Sequence, residues 1–187
     1  RAPNIAYDNP ITNGDGLATS DQYDAYNGAP DRYDWTVVGK KEKLSIQNNY
    51  QVNLTPADSM IQPGHANQDP VRYEMRRQWV VEGNLKNSAR HIYAKRVLRM
   101  DEDSGQITAG EMYDGRGELW RIQEVGQAPD YRPEASTCWT TGGEWIYDLL
   151  AGRYLVLQLK SGRPANAVTG LERLTPDYYT PANVRRL

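Results

Sequence analysis

The sequence predicts a mainly β protein built around one curved antiparallel sheet. Three observations support this fold class. Several segments alternate apolar and polar residues with a period of two, short Gly- and Asp-rich turns connect them, and little of the chain shows helical periodicity. At 187 residues, the chain is long enough for one domain with a real core. Consecutive strands joined by short turns form an antiparallel meander.

The first 32 residues predict an extended arm. Residues 1–32 are rich in Asn, Asp, Gly and Pro and show neither strand nor helix periodicity. Side chains such as Ile5 and Tyr23 favour an arm that packs on a neighbouring surface over a disordered tail. We expect residues 33–187 to form the sheet domain. The sequence opens with neither Met nor a signal peptide, so we expect this domain to be part of a longer chain.

Seven or eight strands are expected after the arm. We place them near residues 34–39, 43–52, 71–82, 91–101, 107–114, 118–125, 138–149 and 154–160. Between the second and third, residues 55–70 form a long polar loop, and a loop of this length usually covers or binds something. Gly142 and Gly143 predict a bulge or bend within a strand. A short helical turn is expected near residues 168–174.

The clearest strand signal lies in "VRYEMRRQWVVE". Tyr73, Met75 and Trp79 fall on one face of the strand, and Arg76 and Gln78 fall on the other. This alternation predicts a half-buried strand with its apolar face turned inward. A single curved sheet cannot bury such a face by itself, so a helix, a second sheet or a ligand must cover it.

Charge and composition exclude several classes of partner. Lys and Arg number 22 against 24 Asp and Glu, so no basic surface for nucleic acid is expected. No stretch approaches the roughly 18 apolar residues of a membrane span. Cys138 is the only cysteine, which excludes an internal disulfide and a cysteine metal cluster.

No catalytic residue, metal ligand or cofactor is predicted, and we expect the protein not to be an enzyme. His65 and His91 are the two histidines, and neither has the spacing of a metal site. His91 is expected to be a solvated residue at a strand start, and His65 to cap a turn. Nucleophile elbows, P-loops and dinucleotide motifs are absent. An enzyme built around His65 and Asp69 is the least favoured alternative.

Arginines on apolar faces need partners. Arg96 interrupts the apolar face of "HIYAKRVLRMD", and a hairpin across "DEDSGQ" places it opposite Glu111. Because a buried unpaired charge is costly, we predict an ion pair between Arg96 and Glu111.

The same pairing logic predicts one shared apolar face. Its residues are Met75, Trp79, Leu98, Trp120 and Ile122, with Arg96 and Glu111 as the polar pair. This face is either a plain core under a covering element or the wall of a ligand pocket, apolar with a few placed polar groups. Taken alone, the residues favour the plain core.

Several strings resemble a known family. "RAPNIAYDNP", "PGHANQDPVRYEMRRQWVVEGNLK", "RHIYAKRVLRMDEDSGQI" and "MYDGRGELWR" are similar to the C-terminal part of a proteobacterial family of unknown function. Its members are often described as outer-membrane lipoprotein-sorting proteins. The resemblance implies secretion to the periplasm and a longer chain. It also implies a likeness to the Lol-system lipoprotein carriers, whose curved half-barrel is closed by helices around a cavity for acyl chains.

The resemblance shifts the balance towards the ligand wall. It implies a periplasmic carrier or binding protein for a lipid or other hydrophobic small molecule, held against the concave face of the sheet. The alternative is a non-catalytic interaction module, in which the arm and residues 55–70 dock on an envelope or membrane-transporter protein.

Overall fold

The computed structural model describes residues 5–132, 135–161, 180 and 182, and gives only the backbone for the described residues between 130 and 141. Seven strands form one sheet in which each strand pairs antiparallel with the next along the chain. They are β1 (Tyr33–Ile46), β2 (Tyr73–Leu85), β3 (Lys95–Asp101), β4 (Ile107–Tyr113), β5 (Leu119–Arg132), β6 (Ala135–Asp148) and β7 (Arg153–Leu157). The predicted antiparallel meander is confirmed. The helical turn expected near 168–174 lies outside the described residues.

The first two expected strands are one continuous strand. β1 carries a bulge between Val37 and Gly39, and its pairing with β2 continues on both sides of that bulge. Gly39 has a φ of 139°, a conformation that favours glycine. The glycine therefore marks a bulge within the strand, and the split predicted from the sequence was wrong.

The sheet curves until the end of β1 approaches β5. The backbone N–H of Asn49 donates to the carbonyl of Gln127 at 2.8 Å. The hydroxyl of Tyr73, at the start of β2, lies 3.4 Å from Oε2 of Glu124 on β5. The side of the sheet that carries Glu124 is therefore its concave side. Gly126 permits the close approach, because a Cβ there would lie 2.7 Å from Nδ2 of Asn49.

Residues 47–72, the cover segment, pack on the concave side. This segment contains two short helices, α1 (Tyr50–Leu54) and α2 (Ala57–Met60), and an isolated bridge between Ile61 and Ala66. A core cluster joins it to the sheet through Ile46, Val52, Met60, Ala66 and Trp145. The long polar loop predicted at 55–70 thus covers part of the sheet, and it contains a helical turn.

Residues 5–32, the arm, pack on the opposite side. Ile11 and Ala18 contact Ile146, and Leu155 and Leu157 extend this cluster. A bridge between Pro10 and Thr19 folds the arm on itself. The arm ends at a single 3₁₀ turn, Pro30–Arg32, immediately before β1. The two sides of the sheet therefore have different covers.

The burial of β2 is the reverse of the one predicted. Met75 is 62% exposed and Trp79 is 37% exposed, whereas Gln78 and Val80 are buried. Hydrogen bonding explains the reversal, since Nε2 of Gln78 donates to Oγ1 of Thr108 at 3.0 Å. This bond satisfies the amide N–H of Gln78, whereas its Oε1 has no hydrogen-bond partner among the described residues. The period of two located the strand correctly but assigned the wrong face to the interior.

The "DEDSG" segment is a hairpin turn. Oδ1 of Asp101 accepts the backbone N–H groups of Asp103 and Ser104 at 3.1 and 2.8 Å. Nε of Arg76 donates to Oδ2 of Asp101 at 3.0 Å and helps to hold the pKa of that carboxyl below its ordinary value. Among the described residues, no group of three or more His, Cys, Asp or Glu side chains could hold a metal ion. In that same part of the chain, no helix is long and apolar enough to cross a membrane.

Candidate functional site

Backbone pairing assigns the residues of β3–β7 to the two sides of the sheet. Residues directly opposite each other on paired strands share a side. One row of such partners crosses five strands on the concave side, and we call it the concave row. It consists of Val97, Glu111, Ile122, Tyr147 and Tyr154. A parallel row beside it contains Arg99, Ala109, Glu124, Trp145 and Val156.

The concave row is half-buried along its whole length. It combines apolar and aromatic side chains with one carboxylate, Glu111. Nη2 of Arg99 donates to Oε1 of Glu111, and the hydroxyl of Tyr113 donates to Oε2 at 2.8 Å. Burial and the neighbouring Glu111 raise the pKa of Tyr113 to about 12. The row therefore has the character of a pocket wall, apolar with a few polar groups held in place.

Glu124 lies next to the concave row and contacts two tyrosines. Burial raises the pKa of its carboxyl above the ordinary value, whereas the Tyr73 hydroxyl and the Arg99 charge act in the opposite direction. Burial and the proximity of Glu124 also raise the pKa of Tyr73. For Tyr147, burial is the main cause of a raised pKa, and Glu124 adds to it. Both phenols are protonated at neutral pH, as an unshifted tyrosine would be, and the shifts move their ionisation to still higher pH.

Tyrosine hydroxyls fix the cover segment on this row. The hydroxyl of Tyr154 donates to the carbonyl of Gln62 at 2.7 Å and accepts its N–H at 2.9 Å. The hydroxyl of Tyr147 is hydrogen-bonded to the backbone of Ala66. The two rings stack, with centroids 5.6 Å apart. The outer part of the cover is thus held by a few hydrogen bonds, which cost less to break than a packed apolar contact.

The predicted ligand-binding residues do not share one face. Glu111 and Ile122 lie in the concave row. Arg96 and Leu98 are buried on the opposite side, where their partners across β4 are Met112 and Gly110. The single shared face predicted from the sequence was therefore wrong. Whether any of these residues binds a ligand stays a prediction.

The predicted ion pair between Arg96 and Glu111 does not form. Nη2 of Arg96 instead donates to Oδ2 of Asp21, on the arm, at 2.7 Å, and Glu111 pairs with Arg99. A bulge at Thr108 is the reason, because it shifts the register of β3 and β4 by one residue between Met100 and Arg99. A shift of one residue moves a side chain to the other face of the sheet.

The other three predicted residues lie in two further places. Trp120 is half-buried at the start of β5, where its Nε1 donates to Oδ2 of Asp148 at 3.0 Å. Here the register differs from the predicted one by one residue already at the turn, where Tyr113 pairs with Leu119, and a bulge between Met112 and Tyr113 adds a second residue, so that Glu111 lies opposite Ile122 instead of Trp120. Met75 and Trp79 lie on the exposed surface of β2, where the ammonium of Lys40 sits 4.5 Å from the centre of the Trp79 ring.

A buried polar cluster between the arm and the sheet was missed by the sequence analysis. Nε of Arg96 donates to the Tyr33 hydroxyl at 3.2 Å, in addition to its pair with Asp21. His91 lies 3.2 Å from the same carboxylate and is fully buried, so its expected solvated position was wrong. The neighbouring His91 and Arg96 hold the pKa of Asp21 down at about 2 against the effect of its burial. Arg96 on an apolar face was the one sequence signal for this cluster.

The cluster continues towards β6. Nη1 of Arg121 donates to the Tyr93 hydroxyl at 2.7 Å, and Nε donates to Oδ2 of Asp148 at 2.9 Å. Further along the cluster, Nε2 of Gln123 donates a hydrogen bond to Oε2 of Glu144 at 2.8 Å. Burial and the nearby Asp24 raise the pKa of Glu144 to about 7. These groups are inaccessible beneath the arm, which indicates a structural role.

His65 and Asp69 are exposed on the cover segment. Nδ1 of His65 lies 2.8 Å from the carbonyl oxygen of Ala66, and the N–H of Asp69 donates to Oδ1 of Asn67. These are local turn contacts. They agree with the expectation that His65 caps a turn.

Family comparison identifies the chain's relatives. The family described as "Protein of unknown function (DUF1329)" matches residues 1–185. The chain belongs to this family. The uncharacterized protein PA3922 of Pseudomonas aeruginosa is 44% identical over the whole chain, which spans 40% of the length of that relative. The family resemblance stated from the sequence strings is therefore confirmed.

Three solved structures are loosely similar. A LolA superfamily protein from Nitrosomonas europaea has a TM-score of 0.48 at 12% identity, covering 83% of this chain and 56% of that one. A putative outer membrane lipoprotein-sorting protein domain from Vibrio parahaemolyticus has a TM-score of 0.44 at 11% identity, covering 70% and 41%. A DUF1329 family protein from Desulfovibrio piger has a TM-score of 0.43 at 14% identity, covering 75% and 49%. Likenesses at this level do not say what the chain binds.

Proposed function

We propose that the protein is a periplasmic carrier or binding protein that holds a lipid or other hydrophobic molecule against the concave side of its sheet. The observation that carries this proposal is the concave row, a half-buried strip of apolar and aromatic side chains across five strands. Binding of this kind needs a shaped apolar surface and no chemical step. The periplasmic location rests on the family resemblance.

The cover segment supports a route for ligand exchange. Its inner part is packed through Val52, Met60 and Ala66, which are fully buried. Its outer part, around Gln62, is held by the hydroxyl of Tyr154. Lifting the outer part would expose the concave row while the inner core stays packed. A ligand would then enter beside Ile122 without global unfolding.

A second candidate function is an interaction module that docks on an envelope or membrane-transporter protein. The observation that favours it is a small exposed apolar patch on β1 and β2, formed by Leu44 and Met75, which lie opposite each other and are each 62% exposed. Exposed patches of this kind commonly mark interaction sites. In this function the concave row would be plain core, and Met75 would contact protein.

The test is binding of the neutral dye Nile red, followed by fluorescence, in two matched variants. Ile122→Trp replaces an aliphatic side chain of the concave row with a larger indole ring. We expect this ring to fill the space that the dye would occupy and to weaken dye binding at least about tenfold. Leu150→Trp makes a similar change at an exposed turn residue and should bind the dye like the parent protein.

Two results would count against the carrier. Equal dye binding by both variants would place the dye elsewhere on the surface. Loss of dye binding in Met75→Ser, with Ile122→Trp unchanged, would locate the apolar contact on the β1–β2 patch and favour the interaction module.

A further inference from the structure

The polar groups beside the concave row select a class of ligand. Glu111 is already neutralised by Arg99. Glu124 differs, because in the described part of the chain no Lys, Arg or His nitrogen lies within ion-pair distance of its carboxylate. The Tyr73 hydroxyl lies 3.5 and 3.4 Å from the two oxygens, which is long for a hydrogen bond, and it lies closer, at 3.2 Å, to Oε1 of Gln68. A half-buried carboxylate is thus left with weak compensation.

Two tyrosines lie on either side of this carboxylate and interact with it through their hydroxyl groups. Tyr73 reaches it from the start of β2, and Tyr147 lies close enough to interact with it electrostatically. Tyr147 in turn stacks on Tyr154. The faces of aromatic rings attract cations, and a carboxylate placed among such rings is the usual composition of a site for an organic ammonium group. Tyr73 is 39% exposed, so the site can be reached from outside.

The hydrophobic surface and the charge are adjacent. Ile122 and Glu124 are two residues apart on β5 and therefore point to the same side of the sheet. A bound molecule could place an apolar tail along the concave row and a polar end at Glu124. Arg99 interacts electrostatically with Glu124 and is paired with Glu111, and these three described side chains sum to one negative charge when all are ionised.

We propose that the concave site takes an amphiphile whose polar end carries a positively charged nitrogen, and that Glu124 pairs with that nitrogen between Tyr73 and Tyr147. This inference rests on the proposed function, because it requires that the concave row bind an apolar chain. It adds the charge and the chemical class of the polar end.

The experiment compares three amphiphiles with the same tail. Dodecyltrimethylammonium, dodecyl maltoside and dodecanoate, each below its critical micelle concentration, compete with Nile red for the purified protein. We expect dodecyltrimethylammonium to displace the dye at a concentration about tenfold lower than dodecanoate. Glu124→Gln should remove this preference. Glu118→Gln, at an exposed turn residue, is the matched control and should keep the preference.

A second variant acts in the opposite direction. Arg99→Gln removes the cation that neutralises Glu111 and should increase the preference for dodecyltrimethylammonium by several-fold. If circular dichroism shows that Glu124→Gln does not fold, the preference measured for Arg99→Gln tests the inference instead.

The outcomes separate this inference from the proposed function. Equal displacement by the three amphiphiles would overturn the inference and leave a general hydrophobic carrier. The same holds for a preference that survives Glu124→Gln, or one that Arg99→Gln leaves unchanged. A protein that binds neither Nile red nor any of the amphiphiles would overturn both.

Discussion

At the scale of single residues, the charges in this protein fall into two groups with different roles. The side chains of Arg96, Asp21 and His91 are buried and contact one another between the arm and the sheet. Pairs such as Lys40 and Glu102 lie at the surface. Removing one partner of a buried ion pair is costly because the other charge stays buried without water or a partner. An ion pair at the surface contributes little to the free energy of unfolding.

Arg96→Ala should therefore strongly destabilise the fold. The change leaves Asp21 buried without its guanidinium partner, and we expect a loss of about 3–5 kcal/mol in the free energy of unfolding. Urea denaturation of Arg96→Ala and of Arg116→Ala, which removes an exposed arginine, measures the difference. The control should change by less than about 1 kcal/mol. Similar small losses in both variants would show that the arm does not depend on this ion pair.

Glu144 should make stability depend on pH near neutrality. Its pKa in the folded protein is about 7, against an ordinary value of 4.5, so the folded state binds this proton more tightly than the unfolded state. The contribution of Glu144 to the free energy of unfolding is then fully present below about pH 4.5. This contribution, on the order of 3 kcal/mol, is lost as the pH rises through 7.

Thermal or urea unfolding between pH 5 and pH 8 tests this dependence. We expect the parent protein to lose stability across this range, and Glu144→Gln to flatten the profile. Glu118→Gln serves as the control, because Glu118 is exposed. An unchanged slope in Glu144→Gln would mean that another group titrates there.

At the scale of elements, the two covers of the sheet are built differently. The cover segment has a small apolar core and an outer part held by hydrogen bonds. The arm contributes Ile11 and Ala18 but is also fixed by the buried Asp21. In the proposed carrier, the outer part of the cover segment is the part that opens, and the arm stays in place because its buried ion pair is costly to break. The division into an arm and a sheet domain itself stays a prediction.

Met60→Ala tests how the cover segment is held. Met60 is fully buried in the core that joins this segment to the sheet, and deletion of its side chain should cost about 2–5 kcal/mol in the free energy of unfolding. Leu54→Ala, on the same segment but 63% exposed, should change stability by less than about 0.5 kcal/mol. Equal effects would contradict the assigned packing of the segment.

The sequence predicted the elements better than their contacts. Alternation located the strands because every strand has two chemically different environments. It failed for β2, where hydrogen bonds to Thr108 and Asp101 allow Gln78 and Arg76 to face the concave side. Cross-strand pairs failed for a different reason. The bulge at Thr108 cannot be read from periodicity, and one extra residue was enough to exchange Glu111 for Met112 opposite Arg96.

At the scale of the whole molecule, the curvature of the sheet joins these features. It brings Tyr73 at the start of β2 against Glu124 on β5, and it makes one side of the sheet concave. The concave row crosses that side beneath a cover segment that is only partly packed. The family membership fixes no activity, and the chain spans 40% of the length of the Pseudomonas relative. The carrier function therefore has to be tested on the longer protein as well as on this chain.

Native mass spectrometry of the full-length protein, purified from its host without detergent and followed by lipid extraction, tests the central claim most directly. The carrier function predicts one co-purifying lipid or hydrophobic metabolite per chain, and its loss in Ile122→Trp but not in Leu150→Trp. An empty protein that also fails to bind Nile red would contradict the claim, and the concave row would then be the core of an interaction module.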